Sequence, residues 1–328
     1  MKLLVYSAKN FELPYLTNAN TKGHHMVFTR ERLTTNTAMK ALGFEAVSIF
    51  SADDASGNVL EKLHDFGVKY VISRSTGYDN LHLKTARELG IRVAHSPAFS
   101  PNAVAEHAIA LYLAINRHII DLVNRSKRFD FTIEQYIGTD LSGKKVGILG
   151  TGAIGSVLVR ILNGFGCQIL ANDLKPSTDL EKRYGVVYLE KDKLISSCDV
   201  IFICLPLNEE THKLFDRSIL ALMKPTAILV NVARGGIVDT QALLDALDEQ
   251  LLAGYATDVF EKEGGVFYQD HSEGPLKLPL LERLIDHPNV LLTPHQAFIT
   301  KEGLSEIARM LFESLGQWER GEKPLTEL

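Results

Sequence analysis

The amino-acid sequence predicts an α/β protein built from two doubly wound, parallel-sheet units. Three observations carry this. Short β-rich apolar runs alternate with helical ones along most of the chain, the pattern of parallel strands covered by helices on both faces. The 328 residues suit about two domains. The alternation breaks at a two-proline stretch and restarts more strongly from Lys144, where a glycine-rich fingerprint follows the first new strand. Hydrophobic residues make up 45% and charged residues 23%, an ordinary globular composition. The formal charge of −5 argues against a nucleic-acid-binding face as the main purpose.

In the first part, strands are expected at 3–7, 46–50, 70–73 and 92–94. Between the second and third, Val59, Leu60, Leu63 and Phe66 fall at helical spacing and Gly67 stands just past the end. The run L-H-L-K-T-A-R-E-L-G closes the same way at Gly90. The stretch S-P-A-F-S-P-N, residues 96–102, suits a domain hinge and a surface loop equally. A long apolar helix is expected from Ala103 to about Arg117.

From Lys144 onward, strands are expected at 145–149, 168–172, 186–188, 200–204, 227–232, 255–259 and 290–292. Several are near-continuous apolar runs, as buried parallel strands require. The last stretch, 301–320, lines Leu304, Ile307, Ala308, Leu311, Phe312 and Leu315 along one face, and is expected to return to the first unit with Trp318 as an anchor.

The apolar run at the amino terminus is too short for a signal sequence, and no stretch reaches the ~18 apolar residues of a bilayer span. Cys167, Cys198 and Cys204 lie in apolar surroundings without C-x-x-C spacing, as reduced buried thiols do. A cytoplasmic protein without a metal site is expected. His24-His25 has no ligand partner nearby and reads as a surface loop; His107 reads as helical, at a domain or dimer contact.

The chemistry begins at K-K-V-G-I-L-G-T-G-A-I-G-S. Gly150, Gly152 and Gly155 stand in G-x-G-x-x-G spacing. The bare pattern is weak, but here it sits between a buried strand and a helix. The first glycine permits a tight turn, the second a close pyrophosphate, the third close helix–strand packing, and the helix N-terminus attracts phosphate. Asp173 stands 18 residues beyond Gly155 at the next strand end. A carboxylate there favours NAD over NADP, although Lys175 is close and a turn or cap role is the alternative. Leu205 and Pro206 end a further strand, as does Asp258, an expected acceptor for the nicotinamide amide.

Three more residues follow expected strands: Arg234 in N-V-A-R-G-G, Glu263 in D-V-F-E-K-E and His295 in T-P-H-Q-A. Singly each is ordinary, since an Arg after a strand is usually a surface residue and Thr-Pro-His usually a turn. Together they suit reduction of a 2-keto acid. A guanidinium grips a carboxylate with two parallel bonds, an imidazolium protonates the ketone oxygen, and a carboxylate keeps that imidazole oriented and charged.

These motifs, with S-T-G-Y-D-N-L-H-L, S-P-A-F-S-P-N-A-V-A-E-H-A, G-Y-A-T-D-V-F-E-K-E and N-V-L-L-T-P-H-Q-A-F, resemble the D-isomer-specific 2-hydroxyacid dehydrogenase family across essentially the whole chain, and within it the fermentative D-lactate branch. The stretch G-G-V-F-Y-Q-D-H after Glu263 looks like an insertion of that branch. The resemblance implies a flavodoxin-like substrate domain, 1–100 plus 298–328, with an NAD-binding Rossmann domain, 101–297, inserted and the active site in the cleft. It implies Arg234 as carboxylate binder, His295 as acid/base and Glu263 as its partner. It implies cofactor contacts at Ile154, Gly155, Asp173, Leu205, Pro206, Thr211, Val232, Ala233 and Asp258, with Arg234 beside them. Substrate contacts are implied at the Thr76 and Gly77 amides, at Phe99, where lactate-type relatives often carry tyrosine, and at Phe298. The implied reaction is pyruvate to D-lactate with NADH, in a homodimer without nucleic-acid or membrane partners. Reduction of bulkier acids such as phenylpyruvate or 2-ketoisocaproate is the alternative. A non-catalytic NAD sensor, of the kind found among family corepressors, fits less well, because the chain lacks a long disordered tail and a basic excess.

Overall fold

A computed structural model describes residues 1–97 and 99–328; Ala98, inside the two-proline stretch, lies outside the described residues. The chain divides into two compact units, Met1–Ser100 with Phe298–Leu328, and Pro101–Ala297. Among the described residues no helix is long and apolar enough to cross a membrane.

Unit one holds β1 (Lys2–Val5), β2 (His25–Phe28), β3 (Ala46–Ile49), β4 (Tyr70–Ser73) and β5 (Arg92–Ala94). They pair in parallel in the order β2-β1-β3-β4-β5, the flavodoxin-like order. Alternate side chains feed two cores. Leu3, Val5, Ala46 and Ile72 meet Leu16, Leu311, Phe312 and Leu315, whereas Leu4, Val47, Val71 and Val93 meet Val59, Leu60 and Leu63. The final helix, Lys301–Glu319, therefore completes the first sheet. Trp318 stacks on Tyr70 at 4.8 Å and donates to Glu327 at 2.9 Å.

The His24-His25 pair departs from expectation. It is not a surface loop: His25 opens the edge strand β2, and His24 is buried, stacked on Phe312 at 5.9 Å. Four residues with one charged-type side chain gave too short a pattern to reveal a strand.

Unit two holds β6 (Lys145–Leu149), β7 (Gln168–Asn172), β8 (Val187–Tyr188), β9 (Val200–Ile203), β10 (Ile228–Asn231), β11 (Gly254–Thr257) and β12 (Val290–Leu292). All pair in parallel, in the order β12-β11-β10-β9-β6-β7-β8, the Rossmann order with one added strand. The order reverses at β6, so the turns after β6 and β9 flank a crevice at their carboxyl ends, where α/β sheets bind ligands. Helix Pro101–Asn116 and helix Ala153–Gly164 cover one face through Ala105, Ala108, Tyr112, Leu158 and Leu162.

Candidate active site

The glycine turn is fixed by backbone contact. Gly150 has φ +91°, and a Cβ there would lie 2.8 Å from the Cys204 carbonyl oxygen, so the turns after β6 and β9 touch main chain to main chain. A Cβ on Gly155 would lie 2.0 Å from the Gly150 oxygen; only glycine lets the helix leave the strand so tightly. At Gly152 a Cβ would project into open space, and Gly152 caps the helix Ala153–Gly164 with no side-chain hydrogen bond. That uncapped N-terminus beside an open glycine fits a pyrophosphate.

Asp173 ends this crevice at the close of β7. Its Oδ2 accepts from Thr151 N–H at 2.6 Å and Thr151 Oγ1 at 3.0 Å, and its Oδ1 from Lys175 N–H at 2.8 Å. Burial opposes ionisation, yet these bonds win and hold the carboxyl below its ordinary range. A firmly ionised carboxylate suits a ribose diol and repels a 2′-phosphate. Beyond β9, Thr211 Oγ1 donates to the Pro206 carbonyl at 2.7 Å, closing the loop that begins at Leu205. Ile154 is half-buried in the first turn of its helix, and Val232 and Ala233 follow β10. The residues present therefore fit a dinucleotide.

Arg234 is placed by a residue the sequence reading passed over. Asn231, fully buried at the end of β10, accepts from Ala233 N–H at 3.0 Å and donates to the Arg234 carbonyl at 3.0 Å. One side chain thus spans the N-V-A-R turn. The Arg234 guanidinium donates through Nη1 to the Ala233 carbonyl at 3.0 Å. The next residue must be glycine: a Cβ on Gly235 would lie 2.1 Å from the Phe260 carbonyl carbon. The Arg234 turn is therefore pressed against the segment leading to Glu263.

Glu263 and His295, distant in sequence, meet at 2.6 Å, Oε1 to Nδ1. Both side chains are largely shielded, at 18% and 15% exposure. The other Glu263 oxygen accepts from Phe260 N–H at 3.2 Å, which fixes the carboxylate before it fixes the imidazole. His295 has φ +51°, a left-handed backbone that a non-glycine residue adopts only when its surroundings hold it.

Much of that hold comes from Asp258, 1% exposed. It accepts from Thr293 Oγ1 at 2.6 Å, Gln296 N–H at 2.9 Å and Ala297 N–H at 2.8 Å. His107, read from sequence as helical, supports this loop within unit two. Its Nε2 lies 3.0 Å from Thr293 Oγ1 and 3.3 Å from Asp258 Oδ1. Apolar periodicity conceals such a residue in a helix.

In unit one, Thr76 and Gly77 follow β4. Their turn is held by Thr76 Oγ1 on the Ser96 carbonyl at 3.1 Å, the His95 ring on the Thr76 carbonyl at 2.8 Å, and Ser75 Oγ on the Gly77 carbonyl at 2.7 Å. Among the described residues no acceptor meets the Thr76 and Gly77 N–H groups. Phe298 is buried within a group of phenylalanines, its ring centroid 5.7 Å from Phe50, 6.2 Å from Phe11 and 6.3 Å from Phe99.

Fold and site together define a class: a dinucleotide-binding oxidoreductase with an Arg–Glu–His set at the carboxyl edge of a Rossmann sheet. The profile of the D-isomer specific 2-hydroxyacid dehydrogenase NAD binding domain matches residues 109–297. The D-lactate dehydrogenase of Escherichia coli (strain K12) is 40% identical over 329 residues, covering 100% of each chain. A solved structure from Chlamydomonas reinhardtii, described as its pyruvate reductase, superposes with a TM-score of 0.90 at 32% identity, covering 99% of this chain and 98% of that one. A D-2-hydroxyisocaproate dehydrogenase structure is also similar, with a TM-score of 0.84 at 31% identity over 100% and 99% of the two chains. The chain belongs to the D-isomer-specific 2-hydroxyacid dehydrogenase family. It is an NAD-dependent oxidoreductase whose substrate is a small 2-hydroxy acid or its keto form.

Proposed function

We propose that this chain is a D-lactate dehydrogenase, reducing pyruvate or a similar small 2-keto acid to the D-2-hydroxy acid. The observation that carries the reading is the 2.6 Å contact between Glu263 and His295 Nδ1. With Nδ1 committed to the carboxylate, proton exchange with substrate falls to Nε2. When bound at the glycine turn, NADH supplies the hydride that reaches C2. His295 gives its Nε2 proton to the ketone oxygen, so a C–H and an O–H bond replace the carbonyl π bond. Glu263 stabilises the imidazolium until that transfer and holds the ring plane. Arg234 takes the substrate carboxylate in a planar fork.

The test is NADH oxidation with pyruvate and chiral analysis of the product. Turnover to D-lactate is expected; turnover to the L-isomer, or none with any 2-keto acid, overturns the reading. Arg234→Lys is expected to raise KM for pyruvate and slow turnover, because a lysine cannot form the fork. Glu263→Gln keeps a hydrogen bond but loses the charge, and is expected to lower kcat at least tenfold.

One observation favours bulkier acids as a second reading. The aromatic group of Phe11, Phe50, Phe99 and Phe298 offers an apolar wall. A higher kcat/KM for phenylpyruvate or 2-ketoisocaproate than for pyruvate would select it.

The proposal includes a homodimer through unit two. Support comes from a run of outward apolar residues there: Phe129 is 85% exposed, Phe131 71%, Ile133 65% and Ile137 84%. Surfaces of that kind mark association sites. Sedimentation should give a dimer, and Ile133→Asp with Ile137→Asp should shift it toward monomer. A cytoplasmic location is part of the same reading. The three cysteines are unpaired, and burial pushes the Cys198 and Cys204 thiols up to about 12, which keeps them protonated and inert.

A further inference from the structure

The segment after Glu263 does more than separate two functional residues. It turns at once, with Val266 and Phe267 N–H groups donating to the Glu263 carbonyl at 3.0 and 3.1 Å. Val266 and Phe267 then pack on the unit-two core. The chain next reaches Tyr268, whose φ is +65°. Its hydroxyl donates to the main-chain carbonyl of His295 at 2.6 Å, and its ring lies 6.4 Å from the imidazole, tilted by 37°.

Two bonds from one short segment therefore fasten His295 at two points. Glu263 takes the side chain through Nδ1, and Tyr268 takes the main chain through the carbonyl. Both Tyr268 and His295 sit in left-handed backbone, which a side chain bearing a Cβ disfavours. A bulky tyrosine held in that region for packing alone would be an expensive way to fill space. Asp258 holds the loop on the far side, through the Gln296 and Ala297 N–H groups, and its main-chain carbonyl accepts from His295 N–H at 2.7 Å.

We infer that Tyr268 is a positioning residue for His295: its hydroxyl fixes the peptide that sets the direction of the imidazole, and so the aim of Nε2. The inference rests on the reading of His295 as the proton donor. It assigns a role to Tyr268 in the segment that follows Glu263.

The test compares Tyr268→Phe with wild type and with His295→Gln, all as full-length protein with NADH and pyruvate. Tyr268→Phe keeps the ring and deletes only the bond. Its kcat is expected to fall about three- to tenfold, the scale of one neutral hydrogen bond. The affinity for NADH should stay within twofold, and the solvent deuterium isotope effect on kcat should rise as proton transfer becomes more limiting. A purely structural tyrosine would lower the melting temperature without moving the isotope effect. Histidine ring 15N spectra give a readout independent of turnover. The His295 signals are expected to show one Nδ1–H tautomer in wild type and to broaden or mix in Tyr268→Phe. An unchanged kcat, isotope effect and His295 spectrum overturns the inference, even where wild type is active and His295→Gln is not. If wild type reduces no 2-keto acid, the functional reading fails, and the ring spectra alone decide whether Tyr268 orients His295.

Discussion

Each unit carries a buried aspartate just beyond the carboxyl edge of its sheet, and each is wired alike. Asp53 in unit one accepts from Ser7 Oγ at 2.6 Å, Leu33 N–H at 2.8 Å and Phe50 N–H at 2.6 Å. Asp258 in unit two accepts from one hydroxyl and two N–H groups at nearly the same distances. The exposures, 2% and 1%, do not separate them. What differs is the cargo. Both aspartates hold a loop with a left-handed residue, Ser7 at φ +50° beside Asp53 and His295 at φ +51° beside Asp258, but only the Asp258 loop carries an imidazole tied to a carboxylate, Glu263. If His295 is the proton donor, as proposed, one kind of buried carboxylate serves architecture in one unit and chemistry in the other, and its own bonds do not say which.

The comparison can be broken by the same substitution at both positions. An amide replaces only one acceptor oxygen, so its NH2 group faces a donor it cannot accept from; each change should destabilise by about 1–3 kcal/mol. The largest effect is expected for Asp258→Asn, with kcat falling about a hundredfold as His295 loses its support. Asp53→Asn should lose comparable stability in urea melts yet keep kcat per folded molecule within about twofold. Equal losses of activity in the two variants would abolish the distinction. Between these lies Asp173→Ala, which removes the carboxylate that disfavours a 2′-phosphate. The ratio of kcat/KM for NADPH to that for NADH should rise about tenfold, with little change in the KM for pyruvate.

The smallest effect concerns pH, and it belongs to unit one. Burial, opposed by the nearby Glu319 carboxylate, holds the His24 imidazole below its ordinary value. The folded state therefore binds this proton less readily than the unfolded chain. Stability from His24 is complete above the unfolded pKa, near 6.5, and drains away as pH falls below it. Melts at pH 7.5 and 5.5 should differ less in His24→Phe than in wild type. An identical slope in the two proteins would remove His24 from the account.

Much of this layout was legible in the chain, for reasons that also mark where reading stops. The expected ends coincide with those of β4, β5, β6, β7 and β12, whereas the fully buried β3, β9, β10 and β11 run one or two residues off, because an apolar run continues past the last paired residue. The exposed edge strand β2, with three of its four residues well exposed, left no such trace. Glycines at the cofactor turn were readable because their spacing is a local steric requirement. Gly235 was visible in N-V-A-R-G-G but not its reason, which is contact with Phe260. Asn231, His107 and Tyr268 were invisible as positioning residues. Asn231 works through a buried turn, and the other two through bonds spanning 186 and 27 residues. Polar groups that act through another residue leave no periodicity behind them.

The split of unit one between the two ends of the chain has a consequence for biosynthesis. Residues 101–297 emerge from the ribosome as one continuous block and can fold as they appear. The sheet made earlier has to wait, because the helix Lys301–Glu319 that covers Leu3, Val5 and Ile72 is translated only after that block. At roughly 5–20 residues per second, that sheet face stays uncovered for on the order of 10–40 seconds in every nascent chain. Chaperone demand and aggregation during expression should therefore track changes in this face and its late helix more closely than changes in the block translated between them.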